Sequence, residues 1–416
     1  MKNCLIVSFD IIREYEPTIS LSIASLMSYA KNDPSYGVDF IIENYSINQF
    51  YENKISMDDV YSQILNKNID KYTHIAFSCF VWNEYLINPL IHQMKKGGYQ
   101  GKIILGGAQI TYCDRNKLKN EYPDADFFIS GYGELSLLNI IKEEKDSNIF
   151  FHNINPDFTT LPSPYLTNEI NIFSRSNIRW ETKRGCPFKC SFCAHRNLEN
   201  GKVNWLNVNK SKDELFLFKK QSVNKINVLD PIFNIGKDYI EILKAIDRLN
   251  FNSTKFSFQS KIELLAKSDG KVFLDLVEKT NSHLEFGIQT VIPEEYNIID
   301  RKNDLRIIKE QLQVLKSRNI SYEVSIMYGL PNQTFNSFKK TIDFLKSNDC
   351  ENIKSWPLML LKGTPLYFDQ KKWNLQEEII GDYQIPLVTS STTFTKDDWF
   401  QMNEISSQLM NSGRLF

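Results

Sequence analysis

From Cys4 to Leu361 the chain repeats one pattern: a short apolar run, a turn, then apolar residues at helical spacing. Strands that alternate with helices do not pair as hairpins; they assemble into parallel sheets whose faces the helices cover. In the first part, strand-like runs fall at Cys4–Phe9, Val38–Glu43, His74–Phe80, Lys102–Leu105 and Ala125–Ser130. Helical patterns lie between them at Pro17–Ala30, Met57–Leu65 and Leu86–Lys96, and a last one ends near Lys142. This predicts an α/β protein that begins with a doubly wound, Rossmann-like sheet over residues 1–145. Ligands of such sheets sit at the carboxyl ends of the strands. Poor periodicity and the Pro-x-Pro spacing of Leu161–Tyr165 predict a linker over residues 146–175.

The alternation then resumes, with strands expected at Trp180–Lys183, Lys225–Leu229, Lys255–Phe258, His283–Ile288, Ser321–Met327 and Asn352–Leu361. Six strand–helix units over residues 176–370 predict a partial (β/α)6 TIM barrel. Residues 371–416 are expected to form a C-terminal cap.

Composition narrows the setting. With 49 basic and 50 acidic residues, nothing favours a nucleic-acid or anionic-membrane partner. No apolar run is long enough for a transmembrane helix. The segment Met1–Val7 reads as a first strand, not a signal peptide, and with an odd cysteine count this predicts a cytoplasmic protein. Cysteines close together then read as metal ligands, not as halves of disulfides.

Three of the seven cysteines, Cys186, Cys190 and Cys193, fall within eight residues, on a loop that Gly185 and Pro187 keep irregular. Zinc would need a fourth ligand, and His195 is the near candidate, though so close a neighbour strains a tetrahedron. A chance cluster of core cysteines is a poor fit beside Lys183, Arg184 and Lys189. A [4Fe–4S] cluster fits the shortfall, because three thiolates leave one iron without a protein ligand.

In the first part, three small-residue turns follow successive strands: Ser78–Asn83 with Trp82, Gly106-Gly107-Ala108-Gln109, and Gly131-Tyr132-Gly133-Glu134. Each alone could simply end a strand; together they predict a binding edge. A Gly-x-Gly-x-x-Gly phosphate fingerprint is absent, which argues against a nicotinamide or flavin dinucleotide.

Cys186-x3-Cys190-x-Phe192-Cys193 resembles the signature of the radical S-adenosylmethionine (SAM) enzymes. The segments Leu284–Thr290, Tyr328–Pro331 and Leu361–Pro365, together with Arg301, resemble later motifs of one subgroup. In the first part, Gly106–Thr111, Asp126–Glu134 and Leu161–Tyr165 resemble the cobalamin-binding domain that precedes the barrel in that subgroup. The resemblance implies a cluster held by the three cysteines, SAM on its open iron, and reductive cleavage of SAM to a 5′-deoxyadenosyl radical. It implies that Phe192 packs near the adenine and that an electron donor such as flavodoxin or ferredoxin is needed. Further SAM contacts are expected from Asp230, from Gln259, Ser260 and Lys261 just past their strand, and from Gln289 and Thr290. Lys261 would meet the SAM carboxylate as a point charge.

If cobalamin is bound, Ser78, Trp82 and Asn83 would cover its lower face. Gly106, Gly107, Gln109, Gly131, Gly133 and Glu134 would surround its nucleotide tail. Trp82 has an equally plain alternative as a packing residue. None of the five histidines stands in the Asp-x-His-x-x-Gly pattern that ligates cobalt, and Gln109 and Tyr132 replace residues usual in the subgroup. The expected reaction is methylation of an unactivated carbon on a small molecule. Two alternatives stay open: a cofactor-free first domain with another radical rearrangement, bond formation or group transfer, and a non-catalytic metal- or corrinoid-binding regulator.

Overall fold

The computed structural model describes residues 1–10, 13–47, 56–143, 150–195, 201–236, 238–251, 253–381 and 385–410. The chain divides into two compact units, Met1–Phe173 and Ser174–Phe416.

The first unit is a six-stranded parallel sheet of β1 (Lys2–Ser8), β2 (Phe40–Ser46), β3 (His74–Ser78), β4 (Lys102–Gly106), β5 (Phe127–Ile129) and β6 (Phe151–His152). Its order is β2-β1-β3-β4-β5-β6, which reverses direction between β1 and β3. Helices α1 (Leu21–Lys31), α2 (Met57–Leu65), α3 (Glu84–Lys96), α4 (Ala108–Thr111), α5 (Arg115–Glu121) and α6 (Gly133–Lys142) accompany it. Side chains alternate faces along a strand, and β1 shows the consequence. Leu5 and Val7 join a core with Val60, Leu90 and Leu118 from α2, α3 and α5. Cys4 and Ile6 pack on the other face with Ile23, Met27 and Ile140 from α1 and α6. The sheet is therefore doubly wound, as expected.

Several boundaries move. Helix α1 starts at Leu21 instead of Pro17, because Ser20 keeps an extended backbone as its N-cap. Val38 sits in the turn before β2, 74% exposed, and contributes nothing to the strand. The segment read as a linker carries β6, which pairs with β5 through Phe128↔Phe151 and Ile129↔His152.

In the second unit, β7 (Asn177–Trp180) is followed by β8 (Lys183–Arg184) and β9 (Asn204–Trp205), an antiparallel pair outside the main sheet. Then come α7 (Val208–Lys220), β10 (Lys225–Val228), α8 (Asp238–Leu249), β11 (Lys255–Ser260), α9 (Gly270–Lys279) and β12 (Ser282–Gln289). They are followed by α10 (Pro293–Ile298), α11 (Leu305–Ser317), β13 (Ser321–Tyr328), α12 (Phe335–Ser347) and β14 (Ile353–Pro357). The six parallel strands stand in sequence order, β7-β10-β11-β12-β13-β14. Sequential parallel order with helical crossovers is barrel topology, and six strands make a partial barrel.

The expected first barrel strand shifts: β7 ends at Trp180, and Lys183 belongs to the β8–β9 pair. After α13 (Pro365–Phe368), a hairpin of β15 (Gln376–Ile379) and β16 (Pro386–Ser390) leads to α14 (Lys396–Leu409). Within the expected cap, residues 382–384 and 411–416 lie outside the described residues. Helix α14 starts on a capping box between Thr395 and Asp398. Its Trp399 is buried against the Tyr328 ring, whose hydroxyl donates to Asn403 Oδ1 at 2.7 Å. No helix among the described residues is long and apolar enough to cross a membrane.

Candidate active site

The cysteine loop leaves β8 through Gly185, at φ +92°, where any Cβ would strike the Lys202 carbonyl. Only glycine meets both demands. Cys186 and Cys190 are buried, and Cys193 is half-buried. The loop turns on itself, with the Cys193 amide donating to the Cys190 carbonyl at 3.2 Å. Distant segments clamp it. Ser191 donates its amide to the Ile299 carbonyl at 2.9 Å and its hydroxyl to the Ile298 carbonyl at 3.1 Å. Its own carbonyl accepts from the Leu366 amide at 3.1 Å.

Arg301, just past α10, closes the site. Its Nη1 lies 3.6 Å from Cys190 Sγ, and its Nη2 donates to the Gly287 carbonyl. The Gln289 amide folds over Gly287 beside it, at a bulge where β12 shifts register and Gln289 takes φ +71°. Burial pushes the Cys186 thiol up and the Cys193 thiol to about 11. Bare thiolates are disfavoured there, whereas coordination to a metal deprotonates a thiol outright. Two buried thiols and one half-buried thiol, with a guanidinium against one of them, suit an anionic iron–sulfur cluster that the three thiolates would hold. Among the described residues, no three His, Cys, Asp or Glu side chains are drawn together around a single point.

The other expected SAM contacts divide. Gln289 lies beside Arg301, and Phe192 is half-buried on the loop itself. Lys261 Nζ is 2.9 Å from Glu263 Oε1 and 5.2 Å from the Phe188 ring centre. Beside it opens a cleft of about 570 Å³ lined by Tyr296, Lys302 and Asn303 among others.

Asp230 is a correction, because its carboxylate is fully enclosed instead of facing an open mouth. It accepts from the Thr182 amide at 2.8 Å, the Lys183 amide at 3.2 Å and the Thr182 hydroxyl, with Lys183 Nζ at 3.7 Å. Lys183 is as enclosed, with Nζ on the Phe233 carbonyl at 2.6 Å inside a cage of Trp205, Phe233 and Tyr239. Burial pulls its ammonium down to about 8, against the opposing pull of Asp230. Gln259 and Ser260 are part of β11, not past it; Gln259 is exposed and Ser260 buried. Thr290 is buried too, its hydroxyl on Glu295 Oε2 at 2.5 Å. Glu295 also accepts from Ser337 and Gln333, which ties the turns after β12 and β13 together.

In the first unit the turns after β3, β4 and β5 do lie at the carboxyl edge of the sheet. Most of their polar side chains serve the unit itself. Asn83 is buried, accepting from the Phe80 amide at 2.7 Å and donating to the Ser78 carbonyl at 2.8 Å. Gln109 donates to Glu84, which also accepts from the Tyr122 hydroxyl. Glu134 accepts from Ser25 on α1 at 2.9 Å. Trp82 stacks on Phe80 with ring centres 4.7 Å apart. Gly107 (φ +96°) and Gly131 (φ +78°) need glycine geometry, the first because its Cα abuts the Cys79 backbone. The Gly106 and Gly133 backbones sit close to Ile129 and to Leu26 of α1, respectively. At these positions the glycines make room for neighbouring segments of the unit itself, Cys79, Ile129 and Leu26.

The family described as the Radical SAM superfamily matches residues 180–345, from the end of β7 into α12. The chain is 22% identical over 341 residues to the cobalamin-dependent radical SAM methyltransferase TokK of Streptomyces tokunonensis, covering 71% of this chain and 48% of that protein. It is 22% identical over 397 residues to the 2-(S-pantetheinyl)-carbapenam-3-carboxylate methyltransferase of Streptantibioticus cattleyicolor, covering 85% of this chain and 55% of that one. The chain thus spans about half the length of these curated relatives. Its fold is similar to the solved radical SAM methyltransferase TsrM of Kitasatospora setae, with tryptophan and a SAM analogue bound. That match has a TM-score of 0.70 at 12% identity and covers 98% of this chain and 89% of that one. The cysteine triad stands on the loop after the first strand of a six-stranded partial barrel, inside the stretch of residues 180–345 that is similar to the Radical SAM superfamily.

Proposed function

We propose that the protein is a radical SAM enzyme that uses cobalamin to methylate an unactivated carbon of a small molecule. The observation that carries the reading is the clamped loop on which Cys186 and Cys190 stand buried and Cys193 half-buried, with Arg301 against Cys190. The cobalamin-dependent methyltransferases among the relatives supply the reaction class. Cys186, Cys190 and Cys193 would hold a [4Fe–4S] cluster, and Phe192, Lys261 and Gln289 stand near enough to the loop to meet SAM. When bound, the cluster supplies the electron that cleaves SAM to methionine and a 5′-deoxyadenosyl radical, and cobalamin carries the methyl group.

The chain's own residues do the rest. Ser191 fixes the loop through Ile298 and Ile299, so the thiols keep their spacing. Glu263 holds Lys261 at the loop's flank, where the ammonium can exchange one carboxylate partner for another. The Phe80–Trp82 stack in the turn after β3 would offer cobalamin an apolar face. An external one-electron donor such as flavodoxin or ferredoxin is required.

A second reading keeps the radical chemistry without cobalamin. It is favoured by Asn83, Gln109 and Glu134, whose polar atoms already have partners within the unit. Anaerobic purification from cobalamin-fed cells decides between them. The first reading expects about four irons, a cobalt with a corrin spectrum, and 5′-deoxyadenosine from SAM. Iron without cobalt supports the second reading, and protein that takes up no iron overturns both.

A further inference from the structure

We propose that Arg301 sets the reduction potential of the cluster through its hydrogen bond to the Cys190 sulfur, which deepens the reading above and rests on it. The geometry is local and specific. Arg301 Nη1 is 3.6 Å from Cys190 Sγ. The other arm of the guanidinium is fixed on the Gly287 carbonyl of β12. Residues 298 and 299, just before it, hold the neighbouring Ser191 at 3.1 and 2.9 Å. Loop and arginine are thus one braced unit, and the guanidinium cannot swing away without breaking β12 contacts.

Charge makes the contact matter. Among the described residues, Arg301 forms no ion pair with a carboxylate, and its Nε is enclosed without a hydrogen-bond partner. Its full positive charge therefore falls on the thiols. The nearby Lys261 differs, because Glu263 offsets it at 2.9 Å. Reduction adds one electron to the cluster, so a cation and a donor aimed at a ligating sulfur stabilise the reduced form more than the oxidised one. Net charge and hydrogen bonds to the sulfurs are among the factors that set such potentials. Arginine suits the task because it stays protonated and its fork reaches two acceptors at once.

The test is an EPR-monitored potentiometric titration of the anaerobically reconstituted full chain, without SAM. Arg301→Gln keeps a donor of similar reach and removes the charge. Its iron content should match wild type, because the three cysteines and the Ser191 clamp remain. Its reduced-to-oxidised ratio at fixed potential should fall about tenfold to a hundredfold, which is a drop of about 60–120 mV at 59 mV per tenfold. Arg301→Lys keeps the charge without the fork and should fall in between.

An R301Q protein with full iron and an unchanged potential overturns the proposal. Should R301Q fail to hold iron, the wild type decides. Labelled with [15N]arginine and reduced, it should show a nitrogen coupling to the cluster in pulsed EPR, and absence of that coupling overturns the proposal. If wild type itself takes up no iron, the reading as a radical SAM enzyme fails instead, so the two failures are distinguishable.

Discussion

Replacing Asp230 with Ala should destabilise the second unit far more than replacing its ion-pair partner Lys183 with Met. Asp230 accepts three hydrogen bonds, from the amides of Thr182 and Lys183 and the Thr182 hydroxyl, in addition to facing Lys183 Nζ. Alanine leaves two amides unpaired in a dry site, each costing about 1–3 kcal/mol, and strands a buried ammonium. Lys183 keeps the Phe233 and Ile235 carbonyls and its aromatic cage, which softens the loss. The total should be about 3–5 kcal/mol, the usual cost of breaking a buried pair from one side.

Lys183→Met leaves all three donors on Asp230 and places a thioether among Trp205, Phe233 and Tyr239. It should cost about 1.5–3 kcal/mol, the scale of one hydrogen bond to a charged group. For a unit of this size about 2–4 °C follows from each kcal/mol, so D230A should lower the midpoint by roughly 6–20 °C. Thermal unfolding of the apo-protein by circular dichroism measures both variants. A K183M loss equal to that of D230A, or a D230A loss below about 1 kcal/mol, would refute the reasoning.

Substituting any one of Cys186, Cys190 or Cys193 with Ala should leave circular dichroism unchanged and lower iron uptake steeply, as elemental analysis would show. The buried imidazole of His74 has its pKa pulled down to about 4 by desolvation. The unfolded chain binds that proton first, so stability present above about 6.5 is lost as pH falls toward 4. At 1.36 kcal/mol per pKa unit the loss reaches about 3 kcal/mol; urea midpoints at pH 7 and 4 should differ less in His74→Gln. Gly107→Ala puts a Cβ 2.5 Å from the Cys79 carbonyl oxygen, at a φ of +96°. Backbone strain alone costs about 1–3 kcal/mol there, so the chemical denaturation midpoint should fall clearly; an unchanged midpoint would show that the β3 and β4 turns part freely.

What the sequence made legible was what is local. The alternation of apolar runs with helical patterns was sufficient to assign a doubly wound sheet, and three cysteines within eight residues announce themselves. What stayed hidden depends on contacts between distant residues. The Arg301–Cys190 contact joins residues 111 positions apart, and nothing in either neighbourhood indicates it. Asp230 lies two residues past β10, and its side chain turns into the corner between β7 and β8, a corner set by a two-residue pairing with β9. Gln259 and Ser260 were placed past their strand because β11 runs on two residues beyond its apolar run. β6 is too short to show any period at all.

The clamp on Ser191 also fixes an order of events during synthesis. Its acceptor on Ile298 lies 107 residues downstream. At about 5–20 residues per second, the thiols leave the ribosome some 5–20 s before that partner exists. Through this interval the nascent loop has nothing to hold its three sulfurs at fixed spacing, and they are open to oxidation or to the wrong metal. Cofactor loading therefore belongs to the completed chain, and conditions that slow translation across residues 194–366 should lower the loaded fraction more than the folded one.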